Sequence, residues 1–274
     1  KNIKVFKDKK SNIIFLEKYL TKIKYYSAFK EKDRDVYHPS KRIFSLTKIK
    51  NRGYVKTLHL EDDLRRNLNF KKYLKNKNIL DFGCGYGGFL DLSKKYSNYC
   101  NGVELDKNCL QFIKKKLNFI RVENNLNNFE KKFDVITMFH VLEHIPHQVQ
   151  TLKNLKNKIK KNGKIIIEVP SAQDFLLSFK SLPEFKQFTF WSEHLILHTE
   201  ISLKKVLVKA GFKKIKIFYF QRYNLANHLG WFIERKPGGH DFYNHIPDKK
   251  ILKSYKDFLI KTKKTDTLIA IASK

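Results

Sequence analysis

Cysteine is rare in this chain, and long apolar runs are missing. Three cysteines stand in 274 residues, Cys84, Cys100 and Cys109, with no C-x-x-C pair and no even set for a disulfide framework. That excludes a disulfide-stapled scaffold and fits a reduced, cytoplasmic compartment. No apolar stretch nears the ~20 residues that a membrane-spanning helix needs. No signal-peptide pattern opens the sequence. The chain begins at Lys1 rather than Met, which leaves room for residues upstream. Acid is scarce as well: Asp and Glu total 26 against 57 Lys and Arg, a formal net charge of +31. A surplus of that size raises a nucleic-acid reading. The excess is mostly lysine, spread along the whole chain beside abundant Asn, Ile and Phe, as an AT-rich coding sequence would yield. Nucleic-acid binding follows charge gathered on one face rather than bulk charge, so a nucleic-acid partner is not the leading expectation.

What is present is enough for a core. Hydrophobic residues make up 42% of the chain, and the length suits one large α/β domain or two small ones. Residues 1–75 read as a helical, basic N-terminal extension that could act as a lid. Ile13, Ile14, Leu16, Leu20 and Ile23 recur at roughly helical spacing. Arg34–Ser40, with Pro39, reads as a loop, and a second helix is predicted over Leu58–Tyr73, with acids in its first turn.

From residue 76 to 220, short apolar strands alternate with helices. Strands are predicted at Asn78–Phe82, Tyr99–Leu105, Phe119–Val122, Phe133–Phe139, Lys164–Val169 and Lys213–Phe220. Helices are predicted at Gly87–Tyr96, Lys107–Leu117, after Pro146 until Asn162-Gly163, and at Ile201–Ala210 with Gly211 as its cap. Alternation of this kind predicts a Rossmann-like, doubly wound, mainly parallel α/β sheet. Residues 221–274 are read as a helical insertion, Asn224–Ile260, followed by a last strand, Thr267–Ala272, that completes a seven-stranded sheet.

The stretch Asp81-Phe82-Gly83-Cys84-Gly85-Tyr86-Gly87-Gly88 carries a G-x-G-x-x-G turn. The spacing alone fits several cofactors, and Asp81 narrows the choice. A carboxylate beside a pyrophosphate would repel it. S-Adenosylmethionine carries an ammonium and a sulfonium and no phosphate, so there the sign is right, and a carboxylate can accept from the ammonium. Glu104, about twenty residues past the turn, is placed to take ribose hydroxyls with either kind of cofactor.

These residues, with Gly102-Val103-Glu104-Leu105-Asp106, Phe133-Asp134-Val135-Ile136 and Phe139-His140-Val141-Leu142-Glu143-His144, resemble the successive motifs of class I S-adenosylmethionine-dependent methyltransferases. Gly163–Pro170, Glu193-His194-Leu195 and Ala210-Gly211-Phe212 resemble a broad subgroup acting on sugars, quinone precursors and other small metabolites. The resemblance implies that Asp81, Gly83, Cys84 and Gly85 hold the methionine end of S-adenosylmethionine. It implies Glu104 on the ribose, Leu105 and Asn125 at the adenine, and Phe139 and His140 closing over the methionine moiety.

For the chemistry, histidine is the residue matched to neutral pH. His144, then His194 and His140, are the candidates for general base. A second reading has His140, Glu143 and His144 bind a divalent metal. This resembles the E-x-x-E-H pattern of ubiquinone-pathway O-methyltransferases and small-RNA 2′-O-methyltransferases, with His140 in the first place. A third has Glu143 and His144 only hydrogen-bond a loop. The aromatic run Phe188–Trp191 reads as a lid. Arg222, Tyr223, Asn227, His228, Arg235 and Lys236, beside the loop Lys236–His240, could take a phosphorylated or nucleotide-linked sugar. The resulting expectation is O-methylation of a sugar or other small polar metabolite in surface-polysaccharide assembly. The alternatives are an RNA ribose 2′-O-methyltransferase and a non-catalytic cofactor-fold binding module.

Overall fold

The computed structural model describes residues 3–18, 45–49, 53–57, 59–190 and 194–274. It divides into two compact units. The glycine-turn unit comprises Thr21–Phe139, Lys153–Ile166 and Ser273–Lys274, and the histidine unit Lys1–Leu20, His140–Leu152 and Ile167–Ala272.

In the glycine-turn unit, β3 (Ser45–Ile49) and β4 (Gly53–Thr57) form an antiparallel pair. Helix α1 (Glu61–Leu74) follows, then β5 (Asn78–Phe82), α2 (Gly88–Ser93), β6 (Tyr99–Val103), α3 (Lys107–Lys116), β7 (Arg121–Glu123) and β8 (Phe133–Phe139). Strand β5 pairs in parallel with β6 on one side and with β8 on the other, and β6 pairs in parallel with β7. The strand order therefore reverses at β5, the switch point where open parallel sheets bind ligands beyond the strand ends. Consecutive residues Ile79 and Leu80 are fully buried, as are Ile136 and Met138 on β8. Burial of neighbours in sequence means that both faces of the sheet are covered. Each such side chain contributes about 1.5–3 kcal/mol.

The histidine unit holds β1 (Val5–Lys7) and β2 (Ile14–Leu16), which form a small antiparallel sheet with β10 (Ile196–Leu197). It also holds α5 (Pro183–Thr189), α6 (Glu200–Lys209), β11 (Lys213–Phe220), α7 (Leu225–Glu234), the short α8 (Gly239–Phe242), α9 (Lys249–Lys261) and nearly all of β12 (Thr267–Ser273). Helix α4 (Gln148–Asn157) and strand β9 (Ile159–Pro170) contribute to both units. Among the described residues, the large sheet runs β11-β12-β9-β8-β5-β6-β7, seven strands. No helix among the described residues is long and apolar enough to cross a membrane.

Two expectations change. Ile14 and Leu16 lie on a strand, not a helix, because β2 finds partners on both edges, and Leu16 N donates to Leu195 O at 3.0 Å. Leu20, Ile23 and the loop at 34–40 lie outside the described residues. Asn162-Gly163 does not close α4 but sits inside β9. A Cβ on Gly163 would come within 2.7 Å of Asp134 O, so this glycine serves a close strand-to-strand approach rather than a cap. The predicted helix at 58–73 appears as α1, and the segment from 224 to 260 is helical as expected.

Candidate functional site

The glycine turn follows β5 directly. Gly83, Gly85 and Gly87 take left-handed φ of 83°, 52° and 78°, a region that side chains other than hydrogen enter at a cost. A Cβ built on Gly85 would meet nothing within 4 Å, so one side of the turn is open. Gly102 is glycine for another reason: a Cβ there would collide with Cys84 Sγ at 2.5 Å. Cys84 is itself buried, and burial pushes its thiol well above its ordinary value. It shapes the turn from beneath and is unsuited to act as a thiolate.

Register decides the surroundings of Asp81. It stands level with Gly102 on β6 and with Thr137 on β8. Its carboxyl is buried, and Thr137 Oγ1 donates to its Oδ1 at 2.7 Å. Burial pushes Asp81 up to about 7, against the pull of Thr137 and of the Arg66 guanidinium. Glu104 closes the turn from the β6 side. Its Oε2 accepts from Gly85 N at 2.8 Å, and its Oε1 from Leu105 N at 2.7 Å and Asp106 N at 2.9 Å. Burial raises Glu104 as well, and the charges of Glu104 and Asp63 help to raise Asp81. Buried acids that push one another up define a place where a cation is favoured.

The other expected cofactor residues fall unevenly. Leu105 is 40% exposed at the end of β6, available to a planar ligand. Asn125 is exposed, and its Oδ1 already accepts from Asn127 N at 2.9 Å to start a 3-10 turn. Phe139 is a core residue. It stacks on Phe70 at 5.8 Å, meets Phe89 edge-on at 5.0 Å and carries the Arg66 guanidinium 4.6 Å above its ring. Sequence reasoning missed Asp63 and Arg66. Both are buried, on the same α1 face as Phe70 and Leu74. The legible signal was an arginine and an acid on an otherwise apolar stripe at spacings of three and four.

In the histidine unit, His140 takes φ of 54°. Non-glycine residues hold this conformation at a cost of about 1–3 kcal/mol, and they gather at functional sites. The cost is offset by its surroundings. His140 N donates to Glu168 O at 2.8 Å, Nδ1 lies 3.3 Å from Glu143 Oε1, and Nε2 lies 3.2 Å from Glu168 Oε1. The last contact has ion-pair distance without hydrogen-bond alignment. Burial opposes a charge on His140, but the two carboxylates outweigh it and raise its pKa. Glu168 was not singled out from the sequence, although it is a lone acid within the apolar run Ile165–Val169.

Glu143 is fully buried. Burial alone would raise it, yet His140, His144 and His194 hold it down at about 2. Its backbone carbonyl fixes the neighbouring segment, accepting from Leu195 N at 2.9 Å. The rings of His144 and His194 lie 5.0 Å apart. His194 Nδ1 sits 2.7 Å from Thr189 O and donates to it, which leaves Nε2 as the acceptor nitrogen of a neutral ring. Burial, then the charge of His144, lower His194 to about 4. One donor atom from each of Glu143, His144 and His194 falls within 4.8 Å of the others. The set that converges thus contains His194 where His140 was expected. One carboxylate and two imidazoles suit zinc or manganese better than magnesium.

Other singled-out residues are engaged within the fold: Arg222 lies over the Tyr223 ring at 5.0 Å, and Asn227 Nδ2 lies 3.3 Å from His240 Nδ1. His198 is buried between Ser202 and Gln148. Asn227 and His228 are buried, Arg235 donates to Ser181 O, and Lys236 faces Glu234 at 3.7 Å. The turn before α8 is set by close packing, since a Cβ on Gly239 would come within 2.6 Å of Gly230 Cα. Trp191 and Glu193 lie outside the described residues.

Comparison with known proteins bears on both halves. Residues 56–217 match the family model described as a methyltransferase domain. A ubiquinone biosynthesis O-methyltransferase of Coxiella burnetii is 29% identical over 122 residues, covering 41% of this chain and 52% of that protein. The chain thus spans about half the length of the curated relative it matches. A crystal structure of an S-adenosylmethionine-dependent methyltransferase from Archaeoglobus fulgidus superposes with a TM-score of 0.52 at 20% identity, over 77% of this chain and 92% of that one. A phosphoethanolamine N-methyltransferase of Haemonchus contortus, solved with S-adenosylmethionine, gives 0.51 at 16% identity over 80% and 54%. At these identities the likeness is one of fold.

Proposed function

The chain belongs to the methyltransferase-domain family, and we propose that it carries a methyl group from S-adenosylmethionine to a hydroxyl oxygen of a small polar acceptor. The observation that carries this reading is the buried Asp81 carboxyl at the end of β5, beside three glycines in left-handed conformation. A site that raises a carboxyl to about 7 favours a ligand that brings a cation. The donor's ammonium is such a cation, and Arg66, close enough to act on Asp81, is the matching group for the donor's carboxylate. Glu104 would take the ribose hydroxyls and Leu105 the adenine face. When bound, the donor supplies a methyl already activated by its positive sulfur.

The chain's own residues supply proton removal. A hydroxyl attacks poorly while protonated, and a positioned base adds about 10²–10⁴-fold. His144 is the candidate, because it is half-buried beside the fully buried Glu143, with its Nε2 3.9 Å from Glu143 Oε1. His194, held near 4, is too weak a base for this step and serves as a neutral neighbour. The convergence of Glu143, His144 and His194 also supports a second reading, in which a divalent ion held by these three lowers the hydroxyl's pKa.

The acceptor class is the finer question. The expectation from the sequence is a sugar or other small metabolite of polysaccharide assembly. The named activity of the Coxiella relative favours a quinone precursor hydroxyl instead. The test is label transfer from methyl-labelled donor to three acceptor panels: catechols and related phenols, sugars with nucleotide sugars, and RNA. Turnover is measured with and without a chelator. Label on phenols or sugars supports the reading, and label on RNA alone overturns it. Loss of turnover on chelation selects the metal route over His144 as base.

A further inference from the structure

Within the histidine unit lies a cavity of about 450 Å³ that neither the glycine turn nor the histidine cluster uses. Its size suits one small molecule. Its lining has two textures. Phe6 on β1 and Phe190, the residue after α5, supply apolar surface, while Lys7, Lys186 and Lys264 supply three cations. Among the described residues that line it, Asp174 is the one carboxyl. Lys264 is held in place, its Nζ donating to Ser178 Oγ at 3.1 Å and its backbone carbonyl accepting from Phe175 N at 3.0 Å.

We propose that this cavity binds a small anion with an apolar body, a phosphate monoester or a carboxylic acid, with Lys7, Lys186 and Lys264 around the anionic group and Phe6 and Phe190 against the body.

The buried Asp174 fits that ligand rather than opposing it. Its Oδ1 accepts from Leu176 N at 2.8 Å. Burial, then the charge of Asp266, push Asp174 up to about 8. The acid therefore keeps its proton at neutral pH and can donate it to an anion. Asp266 and Tyr255 are close enough to interact with it, and the three lysines line the same cavity. Above pH 8, Asp174 ionises and repels the ligand, so binding should weaken there.

Phenyl phosphate is the probe, with phenol and inorganic phosphate as controls, in calorimetry on the whole chain without methyl donor. Phenyl phosphate should bind at least tenfold tighter than either control. The double variant Lys186→Gln/Lys264→Gln should weaken it tenfold or more. Lys107→Gln, a lysine on α3 outside this unit, should leave it unchanged. Asp174→Asn should remove the loss of affinity above pH 8. Thermal unfolding checks that each variant folds, and these lysines carry little of the core. Equal losses for Lys107→Gln and the double variant would mean that the net charge binds the probe, and would overturn the proposal. So would equal affinity for phenol. The measurement needs no methyl transfer, so its outcome is separate from that of the label-transfer assay. If the cavity holds the methyl acceptor, phenolic phosphates or carboxylates also receive label. If it holds an effector, they bind without receiving it.

Discussion

Asp81, near the end of β5, and Glu143, in the turn after β8, are both buried carboxyls, yet their surroundings drive them in opposite directions. Asp81 has Thr137 as its close partner and other acids nearby, and it rises to about 7. Glu143 has three histidines around it and falls to about 2. For the first, burial outweighs the pull of Thr137 and Arg66, and for the second, the histidines outweigh burial. The difference shows that burial alone does not fix the charge of an acid. The sign and number of neighbours decide whether a buried carboxyl is a binding group or part of a finished network.

Three experiments test that contrast. The largest effect is expected from His144→Ala, which should lower turnover by ~10²-fold or more while leaving donor affinity near wild type. Steady-state kinetics beside donor calorimetry reads both, and near-normal turnover would place the base elsewhere. Next, Glu143→Gln should destabilise the protein by roughly 3 kcal/mol, because it takes from His140 one of its two carboxylate partners at a fully buried position. Calorimetric unfolding should show Tm lower on the order of 10 °C at pH 7. With a folded pKa of about 2 against an ordinary 4.5, the stability from Glu143 is fully present above 4.5 and is lost as pH falls toward 2. The gap between variant and wild type should close over that window.

Asp81→Asn should do the reverse. Its folded pKa of about 7 lies above the ordinary 3.8, so Asp81 stabilises below 3.8 and that contribution is lost as pH rises to 7. The variant should therefore equal or exceed wild type in Tm at pH 8 while losing about 10–100-fold in donor affinity, the worth of one charged hydrogen bond. A matching drop in donor affinity is expected in wild type as pH falls below 7. If Asp81→Asn keeps full affinity, the charge argument for the donor fails.

Much of the glycine-turn unit was legible in the sequence. Ile79-Leu80, Val135-Ile136 and Ile165-Ile166 read as buried strands because consecutive apolar residues need cover on both faces. Asp81, Gly83, Gly85 and Glu104 were legible because turn and carboxylates lie within one local motif. Thr137 was not, since its bond to Asp81 joins residues 56 apart and depends on which strands become neighbours. Arg66 was hidden because a charged residue on a helix reads as solvent-facing until the buried face of that helix is known. His194 replaced His140 among the converging donors because Leu195 N pairs with Glu143 O, a contact that local periodicity does not encode.

By itself the sequence determined the alternating strands and helices, the left-handed turn and the sign of the charge at its mouth, because each depends on residues a few positions apart. The tertiary structure decided which acids stay protonated, which histidine joins Glu143 and that a cavity rimmed by lysines exists. Those depend on burial and on distances between segments remote in the chain, and electrostatic energies change with both.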